Sequence, residues 1–431
     1  MPDGLKDSFR HPKYWGEAVS PTTTSGVDQK LLAAVRRKLG PVPVALALRD
    51  TENLPDTSEP VFATIRIKDR SALMAMAVDP DVGFGEGFSA GRIDVEGDLI
   101  RTLETAYRAS PKLHPVLTRL RSMWLTWSQA NTRRGSSRNI HHHYDLSNDF
   151  YRMWLDERMV YTCAYFPSPE ASLEAAQEAK LEMVCRKLRL QPGETVVEVG
   201  CGWGALAIYM AQHYGVRVKA YNISHEQISY AREWAKREGV TDRVEFIEDD
   251  YRTVNQKFDV FCSVGMLEHV GLQNYHELGN VIHRVIGDTG RGFLHFIGRN
   301  RAAPLNVWIR KRIFPGGYAP TVRESMEALE PQSFSVLDIE NLRLHYAKTL
   351  EHWLARFESV FDTVVREKGM EFARMWRLYL AGSVAAFSTG KLQLFQVLFA
   401  GCHSQFAPLT REDLYTPFDQ ETSDQVWTRA M

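Results

Sequence analysis

Two rhythms of apolar residues alternate through the second half of the chain. Gly193-Glu-Thr-Val-Val197 reads as a turn feeding a short buried strand, and Val216–Tyr221, Val244–Glu248, Phe258–Val264 and Gly292–Ile297 read as further strands. Between them, residues 205–214 space their apolar side chains as a helix does, and Asn222-Ile-Ser-His-Glu-Gln227 opens a second helix. Strands alternating with helices at this pace predict an α/β fold, a doubly wound and mostly parallel sheet with ligands at the carboxyl ends of its strands. Nearer the N-terminus, Val42–Leu48, Val61–Ile67 and Leu73–Val78 read as strands between turn residues, followed by Gly83-Phe-Gly-Glu-Gly-Phe88. That half predicts a small α+β domain. A chain of 431 residues is too long for one ordinary core, so two domains are expected.

The turn after the first strand of the α/β half is Glu198-Val-Gly-Cys-Gly-Trp-Gly204. Glycines at 200, 202 and 204 let a ligand lie against bare backbone, because no Cβ blocks the approach. The spacing is tighter than the G-x-G-x-x-G of dinucleotide binders and resembles the first motif of S-adenosylmethionine-dependent methyltransferases. A plain tight strand-to-helix turn is the alternative. At the end of the second strand, where many nucleotide sites carry a carboxylate for the ribose, stand Tyr221 and Asn222. Asn222, Ser224 and Gln227 can supply neutral hydrogen bonds instead; equally, Ser224 caps the helix with Gln227 completing a capping box. Asp249-Asp-Tyr-Arg252, after the third strand, is a natural place for adenine contacts.

A longer series of motifs is similar to one family. It runs His143-Tyr-Asp-Leu-Ser-Asn-Asp-Phe150, Tyr161-Thr-Cys-Ala-Tyr165, Ala176-Gln-Glu-Ala-Lys180 and Val199-Gly-Cys-Gly-Trp-Gly204. It continues with Ser263-Val-Gly-Met-Leu-Glu-His-Val-Gly271, Leu294-His-Phe-Ile297, Ile313-Phe-Pro-Gly-Gly317, His345-Tyr-Ala-Lys-Thr349 and Gln393-Leu-Phe-Gln-Val-Leu-Phe399. In these stretches the chain resembles the cyclopropane-fatty-acyl-phospholipid synthases and mycolic acid cyclopropane synthases. The resemblance implies a Rossmann-like class I methyltransferase domain over residues 141–431 behind an accessory domain at 1–110 that engages lipid, with residues 111–140 between them. It implies transfer of one carbon from S-adenosylmethionine to the cis double bond of an unsaturated phospholipid acyl chain at a membrane surface, by a homodimer.

The same resemblance assigns residues. Tyr161, Thr162, Glu198, Gly200, Cys201, Gly202, Trp203, Gly204, Asn222, Ser224, Gln227, Asp250 and Tyr251 are expected to line the cofactor. An isolated alkene attacking a sulfonium methyl leaves a carbocation, and loss of a proton from the new methyl closes the ring. The site must therefore exclude water, soften a cation and supply a base. Aromatic faces can serve the cation, and Tyr144, Tyr161, Tyr165, Phe296, Trp308, Tyr318 and Tyr346 are available. The family's base is a bound bicarbonate, whose matching positions here are Cys163, Glu268, His295, the backbone of Ile297, and Tyr346. Cys163 and His295 also have plainer readings, as a small buried hydrophobe and a core histidine.

Composition narrows the alternatives. A formal charge of −1 excludes a nucleic-acid binder that relies on bulk charge. The five cysteines form no C-x-x-C pair, which fits a reducing cytoplasm, and no resident metal is expected, although His141-His-His143 is a short histidine run. No apolar run reaches the ~18–20 residues that span a bilayer, so contact with the membrane is expected to be peripheral, at its inner face. From Thr105 to Tyr144 there is no Asp or Glu, while Arg108, Lys112, Arg119, Arg121, Arg133, Arg134 and Arg138 are basic. With Leu117, Leu120, Trp124 and Trp127 this stretch has the make-up of an interfacial helix, or of an interdomain helix whose tryptophans pack inward.

Two departures from the family stand out. Ser383 occupies a place where relatives often carry cysteine, which rules out cysteine chemistry there, and Ser388 replaces an arginine that follows the aromatic in many relatives. Other outcomes stay open: the same cation can end as a methylene- or methyl-branched chain, and a non-catalytic lipid carrier would use the fold for binding alone.

Overall fold

The computed structural model describes residues 25–49, 51–55, 59–109, 146–406 and 409–415. The basic stretch beyond Ala109, the histidine run and Tyr144 lie outside the described residues. The chain divides into two compact units, one of Met1–Leu125, Leu305–Ile313 and Leu350–Lys391, the other of Thr126–Pro304, Phe314–Thr349 and Leu392–Met431.

The first unit begins with α1 (Gly26–Leu39), started by a capping box in which the Ser25 hydroxyl accepts from the Asp28 N–H and the Asp28 carboxylate accepts from the Ser25 N–H. Its sheet has the order β2-β1-β3-β4. The inner strands β1 (Val44–Leu48) and β3 (Ala63–Ile67) run parallel, while β2 (Thr51–Asn53) and β4 (Ile93–Gly97) are antiparallel neighbours. Leu73–Val78, expected as a strand, is instead part of helix α2 (Arg70–Val78). Asp69 accepts from the Ala72 N–H and starts a helix whose Leu73 and Met76 are buried, three residues apart on one face. The apolar run was ambiguous because every second residue is also apolar.

Asp79 then caps α3 (Pro80–Ser89), which carries Gly83, Gly85 and Gly87. A Cβ on Gly83 would stand 2.4 Å from the Ala75 backbone and one on Gly85 2.5 Å from the Trp308 ring, so these glycines permit close packing. Division by sequence position near residue 110 misses that this unit gathers two later segments. Lys311 and Arg312 pair with Glu86, and Arg374 bonds the Phe88 carbonyl at 2.6 Å and Asp94 at 2.6 Å. Trp308, suggested as a face for a cation, belongs to this packing.

The second unit holds a seven-stranded sheet of order β10-β11-β9-β8-β5-β6-β7. Strands β5 (Thr195–Val199), β6 (Arg217–Asn222), β7 (Val244–Glu248), β8 (Val260–Val264) and β9 (Arg291–Gly298) are parallel. They are the strands that the apolar pattern predicts, to within a few residues. The antiparallel pair β10 (Ser335–Asn341) and β11 (Gln393–Ala400) completes the sheet beside β9. This is the class I methyltransferase architecture. Strand order reverses beside β5, and its carboxyl end is where such sheets bind ligands.

Side chains divide by the two-residue period of the strands. Val196, Cys262, Phe293 and Leu398 join one core layer, and Val197, Phe261, Leu294, Phe296, Val397 and Phe399 the other. Helix α4 (Leu173–Leu188) contributes Leu181, Val184, Cys185 and Leu188 to the first layer.

Candidate active site

The cofactor loop leaves β5 with positive φ at Gly200, Gly202 and Gly204, but the three glycines serve different ends. A Cβ on Gly204 would meet the Phe246 ring at 2.6 Å and Ala231 Cβ at 3.0 Å, and one on Gly200 would meet Met266 Cβ at 3.0 Å. A Cβ on Gly202 would meet nothing within 4 Å. Gly204 and Gly200 are packing positions, and Gly202 faces open space. The loop is tied down by the Trp203 indole, which donates to Asn148 Oδ1 at 2.7 Å, and by its ring contact with Tyr151, centroids 5.0 Å apart. Asn148 belongs to a motif noted in the sequence, yet nothing in its spacing revealed this bond.

At the end of β6, Asn222 Nδ2 donates to Gln227 Oε1 at 2.7 Å and to the Gly202 carbonyl at 3.4 Å. Ser224 caps the following helix (His225–Arg237) by accepting from the Gln227 N–H. The reciprocal half of the capping box is replaced: the Ser224 N–H points to Asn222 Oδ1 at 3.4 Å, and the Gln227 side chain is given to Asn222. The polar cluster and the glycine loop thus form one hydrogen-bonded group. Asp250 caps its own turn, accepting from the Arg252 N–H at 2.9 Å and the Arg252 guanidinium at 3.2 Å, while Arg252 lies over the Tyr251 ring.

Glu198, expected at the cofactor, belongs to a buried charged group whose other members, Lys180 and Asp156, the sequence pattern had not assigned to the site. Helix α4 buries Leu173, Ala176, Gln177, Lys180, Leu181 and Val184 on one stripe, so Gln177 and Lys180 stand where the pattern calls for apolar residues. That misfit was the available signal. Gln177 donates to the carbonyls of Thr162 at 2.9 Å and Val160 at 3.3 Å, and Lys180 Nζ donates to Thr162 Oγ1 at 3.1 Å. They fix the Tyr161–Thr162 segment, whose Tyr161 ring packs against Tyr151 and Trp154. Burial lowers Lys180 to about 8, opposed by the nearby Asp156 and Glu198. Burial raises Asp156 to about 6 and Glu198 to about 7, with Lys180 opposing both. Glu198 Oε2 is buried with no hydrogen-bond partner among the described residues. The open face of Gly202, the neutral Asn222–Gln227 cluster bonded to it and the acceptor of Glu198 on the same loop motif suit a nucleoside-bearing ligand such as S-adenosylmethionine.

The second cluster sits past β8 and along β9. Glu268, in the short helix Leu267–Val270, is buried, and its Oε1 accepts the Ile297 backbone N–H at 2.5 Å. Among the described residues its Oε2 has no hydrogen-bond partner, and burial raises the carboxyl to about 7 against the pull of the Ile297 N–H and of its own N–H. His295, two residues before Ile297, shares its face and is buried; its Nδ1 meets Gln396 Nε2 at 3.1 Å and its Nε2 has no partner among the described residues. Burial, then the charges of Lys180 and Lys187, hold its pKa well below the ordinary histidine value, so the ring is neutral.

Cys163 and Tyr346 meet through Leu342, whose carbonyl lies 4.0 Å from Cys163 Sγ and accepts the Tyr346 N–H at 3.1 Å. Burial pushes the Cys163 thiol far up, so it stays protonated. Of the aromatic candidates, Phe296 points into the opposite core layer beside Phe395, Tyr165 stacks on His345 at 4.8 Å, and Tyr318 donates to Glu324 at 2.7 Å. Among the described residues, Asp288, Cys402 and His403 bring ligand atoms within 4.8 Å of one another on the surface, a grouping their sequence positions hide. No helix among the described residues is long and apolar enough to cross a membrane.

The family model described as mycolic acid cyclopropane synthetase matches residues 131–397. A probable fatty acid methyltransferase of Pseudomonas putida is 34% identical over 389 residues, covering 87% of this chain and 96% of that protein. The cyclopropane-fatty-acyl-phospholipid synthase of Escherichia coli K12 is 42% identical over 260 residues, 60% of this chain and 66% of that one. Among solved structures, the mycolic acid cyclopropane synthase CmaA1 complexed with SAH and CTAB is similar with TM-score 0.58 at 29% identity, covering 61% of this chain and 97% of that chain.

Proposed function

The chain belongs to the mycolic acid cyclopropane synthetase family of S-adenosylmethionine-dependent methyltransferases, and we propose that it adds one carbon to the cis double bond of an unsaturated phospholipid acyl chain, closing a cyclopropane ring. The observation that carries this reading is the pair of buried polar atoms Glu268 Oε2 and His295 Nε2, each without a hydrogen-bond partner among the described residues, with Glu268 Oε1 fixed by the Ile297 N–H. A neutral imidazole offers a donor there, and a carboxyl titrating near 7 offers an acceptor or a proton. That combination suits a small oxyanion bearing one hydrogen, such as bicarbonate. Glu268, fixed at Oε1 by Ile297, orients that hydrogen at Oε2, while His295 donates from Nε2. Tyr346, beside Cys163, is the further donor in this reading.

S-adenosylmethionine would be held by Gly202, Asn222, Gln227 and Glu198, and it supplies an electrophilic methyl. The chain's own part is to bind it against the open face of Gly202, to keep water out with the surrounding core, and to hold a proton acceptor where the new methyl loses its hydrogen. Attachment to an anionic lipid surface through Arg119, Arg121, Arg133, Arg134 and Arg138, and pairing into a homodimer, complete the proposal. Each cationic side chain near such a surface contributes about 1 kcal/mol. Neutralising the five arginines should weaken binding to anionic vesicles and leave cofactor affinity intact.

A methyl- or methylene-branched product is the second reading, favoured by the methyltransferase name of the Pseudomonas putida relative, which matches 87% of this chain. Expression in a host lacking its own synthase tests both. Mass spectrometry of the lipids should show the gain of one CH2 per modified chain, and NMR then separates ring from branch. Lipids of unchanged mass would overturn the assignment.

A further inference from the structure

We propose that Gln396 is a positioning residue which, anchored by Lys187, holds the His295 ring in the tautomer that carries its hydrogen on Nε2 and so presents a donor to the reacting centre. The proposal rests on the preceding reading of His295 as a donor, and its test separates the two.

Three adjacent strands place the residues in one row. Glu340 of β10 is the register partner of Gln396 on β11, and Gln396 is the register partner of His295 on β9. Direct cross-strand partners share a face of the sheet, here the face that α4 covers. From α4, Lys187 reaches down two turns after Lys180. Its Nζ donates to Gln396 Oε1 at 2.8 Å and to Glu340, with Asp338 at 3.6 Å. The central three are out of water: the Lys187 side chain is 1% exposed, Gln396 1% and His295 2%.

The amide's orientation follows from chemistry. An ammonium has three donors and no acceptor, so only the carbonyl oxygen of Gln396 can face Lys187. The amide NH2 must then face His295 Nδ1, at 3.1 Å. An NH2 has no acceptor to give, so Nδ1 must be the bare, accepting nitrogen of a neutral ring. The hydrogen is therefore on Nε2, the atom left without a partner among the described residues. A hydrogen bond on one ring nitrogen commonly sets the state of the other. Here a lysine sets it through an intervening amide, and the two carboxylates of β10 hold that lysine in place.

The full-length enzyme with S-adenosylmethionine bound, its histidines labelled with 15N, reports the tautomer directly by NMR; the His295 signals are identified by their loss in His295→Gln. The wild type should show a protonated Nε2 and a bare Nδ1. Gln396→Glu keeps the size and still pairs with Lys187, but it turns an acceptor toward Nδ1. The hydrogen should then move to Nδ1, and turnover should fall about 10²-fold, as for loss of one preorganised donor, with cofactor affinity unchanged. Gln396→Met, which neither donates nor accepts there strongly, should give a mixture of tautomers and an intermediate loss. A wild-type ring protonated on Nδ1, or a tautomer unmoved in Gln396→Glu, overturns the positioning role, and the wild-type measurement needs no variant to fold. A tautomer that switches with no loss of turnover overturns instead the donor role of His295 in the proposed reaction, and with it any catalytic consequence of Gln396.

Discussion

The Ile297 backbone N–H donates to Glu268 Oε1 at 2.5 Å, and this bond decides how the carboxyl can act. One oxygen is committed to the backbone of β9, which fixes the plane of the group. The other is buried and has no partner among the described residues. The Ile297 N–H and the residue's own N–H together do not offset the loss of water, so the carboxyl is raised to about 7.

Glu268→Gln keeps the shape and removes the charge. Turnover should fall by about 10²–10⁴-fold, the usual worth of base assistance, and calorimetric affinity for S-adenosylmethionine should stay at the parent value. Turnover at the parent rate would place the base elsewhere.

The same carboxyl makes stability depend on pH. Its folded pKa of about 7 lies above its ordinary 4.5, so its contribution is fully present below about 4.5 and is lost as pH rises through about 7. Glu268→Gln does not titrate. The variant should therefore gain stability relative to the wild type between about pH 5 and about pH 8, in ligand-free protein followed by thermal unfolding. A difference in melting temperature that is flat across that window would show the carboxyl to be solvated.

The glycines of the cofactor loop should separate by experiment. Gly202→Ala and Gly204→Ala both pay a left-handed backbone cost of about 1–2 kcal/mol. Gly204→Ala must also displace Phe246 or Ala231, which adds about 1–3 kcal/mol of overpacking. Chemical denaturation should therefore find Gly204→Ala the less stable, while calorimetry should find the larger loss of S-adenosylmethionine affinity in Gly202→Ala.

Asn148 should matter to cofactor binding without touching the cofactor in this reading. Asn148→Ala removes the acceptor of the Trp203 indole N–H. A lost hydrogen bond of about 0.5–1.5 kcal/mol predicts a roughly 2- to 13-fold weaker affinity, read by titration of tryptophan fluorescence. An unchanged affinity would show that the loop holds its shape through packing alone.

Sequence by itself determined the α/β half. The strand runs from Thr195 to Gly298 are short, apolar and separated by helical spacing, so local pattern and tertiary role agree, and the glycine loop follows from its position after β5. The family motifs likewise contain Glu268, His295 and Ile297, of which the folded chain bonds Ile297 to Glu268. Pattern failed at Leu73–Val78, where an unbroken apolar run fits either period and the Asp69 cap settled the helix. Only the tertiary structure decided which polar groups are buried together. Lys180, Lys187, Gln177 and Gln396 are ordinary polar residues by composition. They acquire meaning because α4 lies over one sheet face and because antiparallel pairing sets Gln396 beside His295. Hydrogen bonds between residues 101 and 209 positions apart, His295 with Gln396 and Gln396 with Lys187, leave no periodic trace in the chain. Register and burial create them, and both are properties of the folded sheet.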